Sequence, residues 1–139
     1  MNLTHLFDLS LRGRADTPAL EFDGRTYTFG EVDARSNRMA QMLIARGLKA
    51  GDRLCVHLPN SVEMIDLYLA CVKLGVIFVP INILYREREV GHILQDAEPA
   101  LFLQEPPDAA GFQGAAVTLY RSRLERAGAR YEALRTIGL

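Results

Sequence analysis

Three histidines, two cysteines and four serines are the residues of this chain whose types could move protons, hold a metal or attack a carbonyl. Their spacing assembles none of these. His5, His57 and His92 fall in three separate stretches, and no cysteine stands at ligand spacing from two of them. His57 alternates with Val56 and Leu58 and reads as a half-buried strand residue; His92 reads as solvent-facing on a short helix. Cys55 and Cys71 lie in apolar segments and read as buried thiols rather than a disulfide or ligand pair. Ser10, Ser36, Ser61 and Ser122 stand in no nucleophile-elbow pattern. Glu87 and Glu89 flank Arg88 at a spacing that points charges apart on a helix, a solvated face. No G-x-G-x-x-G or G-x-x-x-x-G-K-[ST] is present to cradle phosphate. No catalytic, cofactor-binding or metal-binding residue is assigned from the sequence.

The elements that would position such residues are clearer. Arg53 to Leu58 is an apolar run stopped by Pro59, and Asn60 with Glu63 offers a capping box for a helix running to about Leu74. Gly75 supplies the left-handed residue that ends it, and Val76 to Ile81 is β-branched and aromatic. Two strands joined through a helix lie parallel, so Arg53 to Asn82 is a βαβ unit. Its helix is apolar over most of its circumference. At about 100° per residue, Glu63, Asp66 and Lys73 share one stripe, which is expected to face water while the other sides are packed.

Upstream, Leu3, Leu6, Phe7 and Leu11 recur at helical spacing across residues 2–14. Ala19–Phe22 and Arg25–Thr28 flank Asp23-Gly24, a hairpin signal. Thr28 and Glu31 open a helix from Phe29 to Arg46, with Phe29, Val32, Met39, Ala40 and Leu43 as its apolar face and Gly47 ending it. Downstream, a short helix from Glu87 to Asp96 leads through Pro99 to a strand at Ala100–Leu103. Pro106, Pro107, Asp108, Gly111 and Gly114 mark a loop, Ala115–Leu119 has the composition of a fourth strand, and Arg121–Ile137 has helical spacing interrupted by Gly128. The fold class expected is α/β: a mostly parallel sheet with helices on both faces, βαβαβ from Arg53 to Leu103, preceded by a helix and a small hairpin. Residues 1–104 form the scaffold, and 105–139 read as a loop and tail.

At 139 residues, 49% hydrophobic and 24% charged, the chain is one domain's worth of ordinary globular sequence. Its net charge of −1 points to neither nucleic acid nor an anionic membrane. Residues 121–139 differ, with five arginines and two glutamates; these read as a solvated helix rather than a polyanion site. No stretch has the length of a membrane span and no secretory signal is evident, so the cytoplasm is the expected compartment.

Three stretches carry a resemblance. Arg25-Thr26-Tyr27-Thr28-Phe29-Gly30-Glu31-Val32 resembles the first core motif of the adenylate-forming enzymes, the AMP-dependent synthetases and ligases. The run from Gly51 to Ser61, containing Leu58-Pro59-Asn60-Ser61, is similar to the strand and turn that follow in that family, and Ala70 to Asn82 looks like its second core motif. Asp96-Ala97-Glu98-Pro99-Ala100-Leu101 resembles the next helix-to-strand passage. The likeness covers about residues 2–104, and among branches the acyl-CoA synthetases, of fatty-acyl or malonyl type, are nearest. It implies activation of a carboxylic acid with ATP and Mg²⁺ to an acyl-adenylate, then transfer to the thiol of coenzyme A, within fatty acid metabolism. The departure is equally informative. The family's Ser/Thr/Gly-rich phosphate loop ending in Pro-Lys-Gly, its adenine-binding segment, ribose-binding aspartate and catalytic lysine are absent, so no family catalytic residue maps onto this chain.

The expected function is therefore an incomplete N-terminal portion of an ATP-dependent carboxylic acid–CoA ligase, inert alone and binding no cofactor by itself, whose partner is the remainder of the synthetase or a second copy of the chain. The alternative is a short assembly or regulatory module that dimerises or binds a full-length synthetase. A stand-alone nucleotide-binding protein is the weakest reading, for want of a phosphate cradle.

Overall fold

The computed structural model describes residues 3–105, together with the backbone of residues 116–125 and 128–138. Helix α1 (Leu3–Leu11) precedes a hairpin of β1 (Pro18–Phe22) and β2 (Arg25–Thr28). Asp23 and Gly24 at its tip have φ of 52° and 73°, the left-handed pair that matches the strands' twist. Helix α2 (Phe29–Ala45) starts on the expected reciprocal cap: Thr28 Oγ1 accepts the Glu31 N–H at 3.2 Å, and Glu31 Oε2 accepts the Thr28 N–H at 2.8 Å.

Next come β3 (Arg53–His57), α3 (Val62–Leu74), β4 (Ile77–Pro80), α4 (Glu87–Ala97) and β5 (Leu101–Gln104). β3 lies between β4 and β5 and is parallel to both, with Leu54 opposite both Phe78 and Leu101. Alternation along the strands divides the core. Leu54, Val56, Leu101 and Leu103 pack under α2 and α3 with Met39, Leu43, Leu67 and Cys71, whereas Cys55 and Phe102 face α4 with Val90 and Leu94. The α/β fold with helices on both faces is as expected.

Two details differ. The cap of α3 is Ser61, whose Oγ accepts the Met64 N–H at 3.3 Å, one residue later than the Asn60–Glu63 box expected. Glu63 is not free to reach back because Arg35 engages its carboxylate at 3.3 Å. The helix expected over Arg121–Ile137 is instead most of an antiparallel hairpin, β6 (Ala116–Glu125) and β7 (Gly128–Gly138). β6 pairs with β5, Leu103 opposite Leu119, and extends the sheet to the order β4-β3-β5-β6-β7. The open edge of β5 wins over weak helical spacing: β-branched Val117, Thr118, Thr136 and Ile137 are paired across the ladder, and Gly128, poor in a helix interior, begins β7. The loop expected at Pro106–Gly114 lies outside the described residues.

Candidate functional site

Among the described residues, a dense cluster of polar side chains lies between α2 and α3. Arg35 on α2 clamps Asp66 on α3: Nε lies 3.2 and 2.9 Å from the two carboxylate oxygens, and a terminal nitrogen is 2.7 Å from Oδ2. The Asp66 side chain is only 4% exposed. Burial pushes its pKa up, with the Arg35 hydrogen bond and charge pulling it back. Burial also works to lower the Arg35 pKa, but Asp66, Glu63 and Tyr27 together raise it. The guanidinium also lies 5.4 Å from the Tyr27 ring centroid.

In the last turn of α3, Lys73 Nζ donates to Asp33 Oδ1, Ser36 Oγ and Asn37 Oδ1, each at 2.7 Å. Phe7 of α1 covers this ammonium, its ring centroid 5.4 Å away. Lys73 is therefore largely buried, at 15% side-chain exposure, and the expectation that it faces water is corrected. The stripe of Glu63, Asp66 and Lys73 exists, but α2 presents Asp33, Arg35, Ser36 and Asn37 to it, so each charge is neutralised across the helix pair. What faces out from α3 is apolar instead. Ile65 and Tyr68 are 42% and 43% exposed, and Tyr68 stands edge-on to Phe78 of β4 at 5.7 Å.

This outward face continues on both sides. Toward the hairpin, a groove of about 260 Å³ is walled by Leu20, Phe22, Val62, Met64 and Ile65, with Glu21, Asn60 and Ser61 also lining it. Toward the N-terminus, Leu3 and Leu6 of α1 border Val72 and Val76, where Thr4 Oγ1 donates to the Val72 carbonyl at 3.3 Å. α1 itself has no buried residue.

The residues singled out for chemistry are placed apart. His5 lies exposed on α1 and His92 on α4, where its Nε2 is 3.9 Å from Asp96. His57, expected half-buried, is 8% exposed at the end of β3, and its Nε2 has no hydrogen-bond partner among the described residues. Burial pushes the thiols of Cys55 and Cys71 up to about 11 and 12, the wrong direction for a nucleophile. Ser10 donates to the Leu6 carbonyl, Ser36 to the Asp33 carbonyl, and Ser61 caps α3; the Ser122 side chain lies outside the described residues. Glu87, Arg88 and Glu89 are exposed, and Glu89 accepts the Arg86 N–H at 3.1 Å. Among the described residues no group of three or more His, Cys, Asp or Glu side chains is placed to hold a metal ion, and no helix is long and apolar enough to cross a membrane. Gly24 is at a hairpin tip and Gly47 and Gly75 follow helix ends, while α3 is entered through Pro59-Asn60-Ser61.

The structure thus defines an α/β scaffold whose helix α3 pairs its charges with α2 and leaves Ile65 and Tyr68 exposed. The comparisons specify it. A family profile described as AMP-binding enzyme matches residues 7–133, and the chain belongs to that family. The match passes through the β6 region, beyond the limit near residue 104 expected from the motifs. Over 100 residues the chain is 35% identical to surfactin synthase subunit 2 of Bacillus subtilis, covering 72% of this chain and 3% of that one. It is 33% identical over 90 residues to the medium-chain fatty-acid–CoA ligase of Escherichia coli, covering 60% of this chain and 16% of that one. Among solved structures, the N-terminal subdomain of Klebsiella oxytoca NpsA in complex with anthranilyl-AMSN superposes with a TM-score of 0.68 at 29% identity, covering 71% of this chain and 26% of that one. The matched region thus spans only a small part of these relatives.

Proposed function

We propose that this chain is the N-terminal portion of an ATP-dependent carboxylic acid–CoA ligase, of fatty-acyl or malonyl type, working in the cytoplasm. In the complete enzyme the carboxylate attacks the α-phosphorus of ATP, pyrophosphate leaves, and the thiol of coenzyme A then displaces AMP from the acyl-adenylate. ATP, Mg²⁺ and coenzyme A are bound there by segments that this chain lacks, so no step of the reaction is assigned to its residues. Its contribution is the scaffold. The observation that carries this reading is the apolar outward face of α3, a central helix left with Ile65 and Tyr68 in water while all three of its charged residues are turned inward. The E. coli ligase supports the CoA branch, and the surfactin relative marks the neighbouring one.

The test is ATP–pyrophosphate exchange, with labelled pyrophosphate and a panel of straight-chain mono- and dicarboxylic acids. The 139-residue chain is expected to give no exchange above a protein-free control. Acid-dependent exchange by this chain alone would contradict the proposal.

A further inference from the structure

We infer that the outer edge of β7 is a self-association surface, on which a second copy of this chain adds its own β7, antiparallel, about a two-fold axis at Tyr131. The inference is independent of the ligase reading, since it concerns the 139-residue chain itself. The five-stranded sheet ends on β4 and on β7. β4 is a poor template: it has four residues and closes on Pro80, which has no N–H to donate. β7 has eleven residues, contains no proline and pairs only with β6 among the described residues. Every second residue along its outer side therefore presents a backbone N–H and carbonyl that a further strand can take up.

Charge selects both the occupant and the register. An edge of one sign repels a copy of itself, but β7 places Arg130 and Glu132 two residues apart, on one face of the sheet. A two-fold axis sets one residue opposite its own copy. Centred on Arg130 or on Glu132, it opposes like charges. Centred on Tyr131, it opposes Arg130 to the partner's Glu132 and Glu132 to the partner's Arg130. Tyr131 then stands opposite the partner's Tyr131 on the other face, an aromatic pair of the kind that stabilises adjoining strands. This register also ends where β7 stops being regular. It runs from Gly128 to Leu134, and Leu134 is the residue skipped between the pairs Leu119–Arg135 and Tyr120–Ala133. Within its own hairpin Arg130 stands opposite Arg123, a like-charge position that a glutamate from a second copy offsets.

Sedimentation equilibrium of the 139-residue chain tests this. The mass should rise with concentration from 15.5 kDa to twice that value. Arg130→Glu and Glu132→Arg should each raise the dimer dissociation constant roughly tenfold or more, because two attractive cross-strand pairs become repulsive. An equimolar mixture of the two variants should dimerise again, since each glutamate then meets an arginine. Arg130→Glu also sets a glutamate opposite Arg123, so the hairpin itself gains an opposite-charge pair while the dimer weakens. Under mild oxidation Tyr131→Cys should cross-link to its copy, whereas Ala133→Cys, about 13 Å along the strand from its own copy, should not. A chain that stays monomeric up to about millimolar concentration would overturn the proposal. So would single variants that dimerise as the parent does, or a mixture that stays monomeric although both variants keep the parent's far-UV circular dichroism. Where a charge variant fails to fold, the cysteine pair decides: cross-linking at neither position, or equally at both, overturns the two-fold axis at Tyr131.

Discussion

Replacing Arg35 by methionine tests how α2 and α3 are held together. The change keeps most of the side chain's bulk but leaves the Asp66 carboxylate, 4% exposed, with no guanidinium against it. Breaking a fully buried ion pair from one side costs about 3–5 kcal/mol. Arg35 and Glu63 are 24% and 21% exposed, so water reaches the rim of the cluster and the lower end, about 3 kcal/mol, is expected. That is a large share of the ~5–15 kcal/mol typical of a domain and corresponds to a fall in Tm of roughly 8 °C. Urea denaturation followed by far-UV circular dichroism measures it. The double variant R35M/D66L removes both charges and should recover most of the loss, because an apolar pair needs no desolvation of ions.

The pH dependence has a definite sign. Asp66 has a native pKa raised above its ordinary 3.8, so its contribution to stability is full below that value and declines as pH rises through the native one. Removing Arg35 raises the native pKa further. The deficit of R35M should therefore be largest at neutral pH and shrink as Asp66 protonates on acidification. A variant within about 0.5 kcal/mol of the parent at pH 7, or a double variant no more stable than the single one, would refute the assignment of this cluster.

Three further outcomes are expected. Ser61→Ala should cost about 1 kcal/mol in chemical denaturation, and Asn60→Ala a few tenths, because Ser61 and not Asn60 caps α3. Gly75→Ala should cost about 1 kcal/mol: its φ of 70° is strained for any side chain, although a Cβ would meet Ala50 at an ordinary 3.4 Å. Cys55 and Cys71 should react with a disulfide reagent at pH 8 only at the rate of unfolding, since burial keeps both protonated and covered; rapid labelling of the folded chain would contradict their placement.

Much of the fold was legible because local and tertiary signals agreed. Asp23-Gly24 demanded one hairpin geometry, Thr28 and Glu31 supplied a complete cap, and Gly75 ended α3 where the apolar pattern stopped. The sequence also showed that Glu63, Asp66 and Lys73 share a stripe. It could not show which way the stripe faces, because that depends on α2 lying alongside with complementary groups. Asp33, Arg35, Ser36 and Asn37, clustered on the preceding helix, were the available signal. With the stripe turned inward, the apolar residues opposite it, Ile65 and Tyr68, become the exposed face. The β6–β7 hairpin was misread for a related reason. Its strands are fixed by the free edge of β5, a partner distant in sequence, rather than by any strong period of their own.

The central claim, that this scaffold is the opening part of a larger ligase, is tested most directly by the mass of the polypeptide carrying it in the source organism. An immunoblot of fresh lysate with an antibody to residues 29–81 is expected to show one band several times heavier than 15.5 kDa. A single band at 15.5 kDa would contradict the account and leave the exposed face of α3 to a second copy or a separate partner.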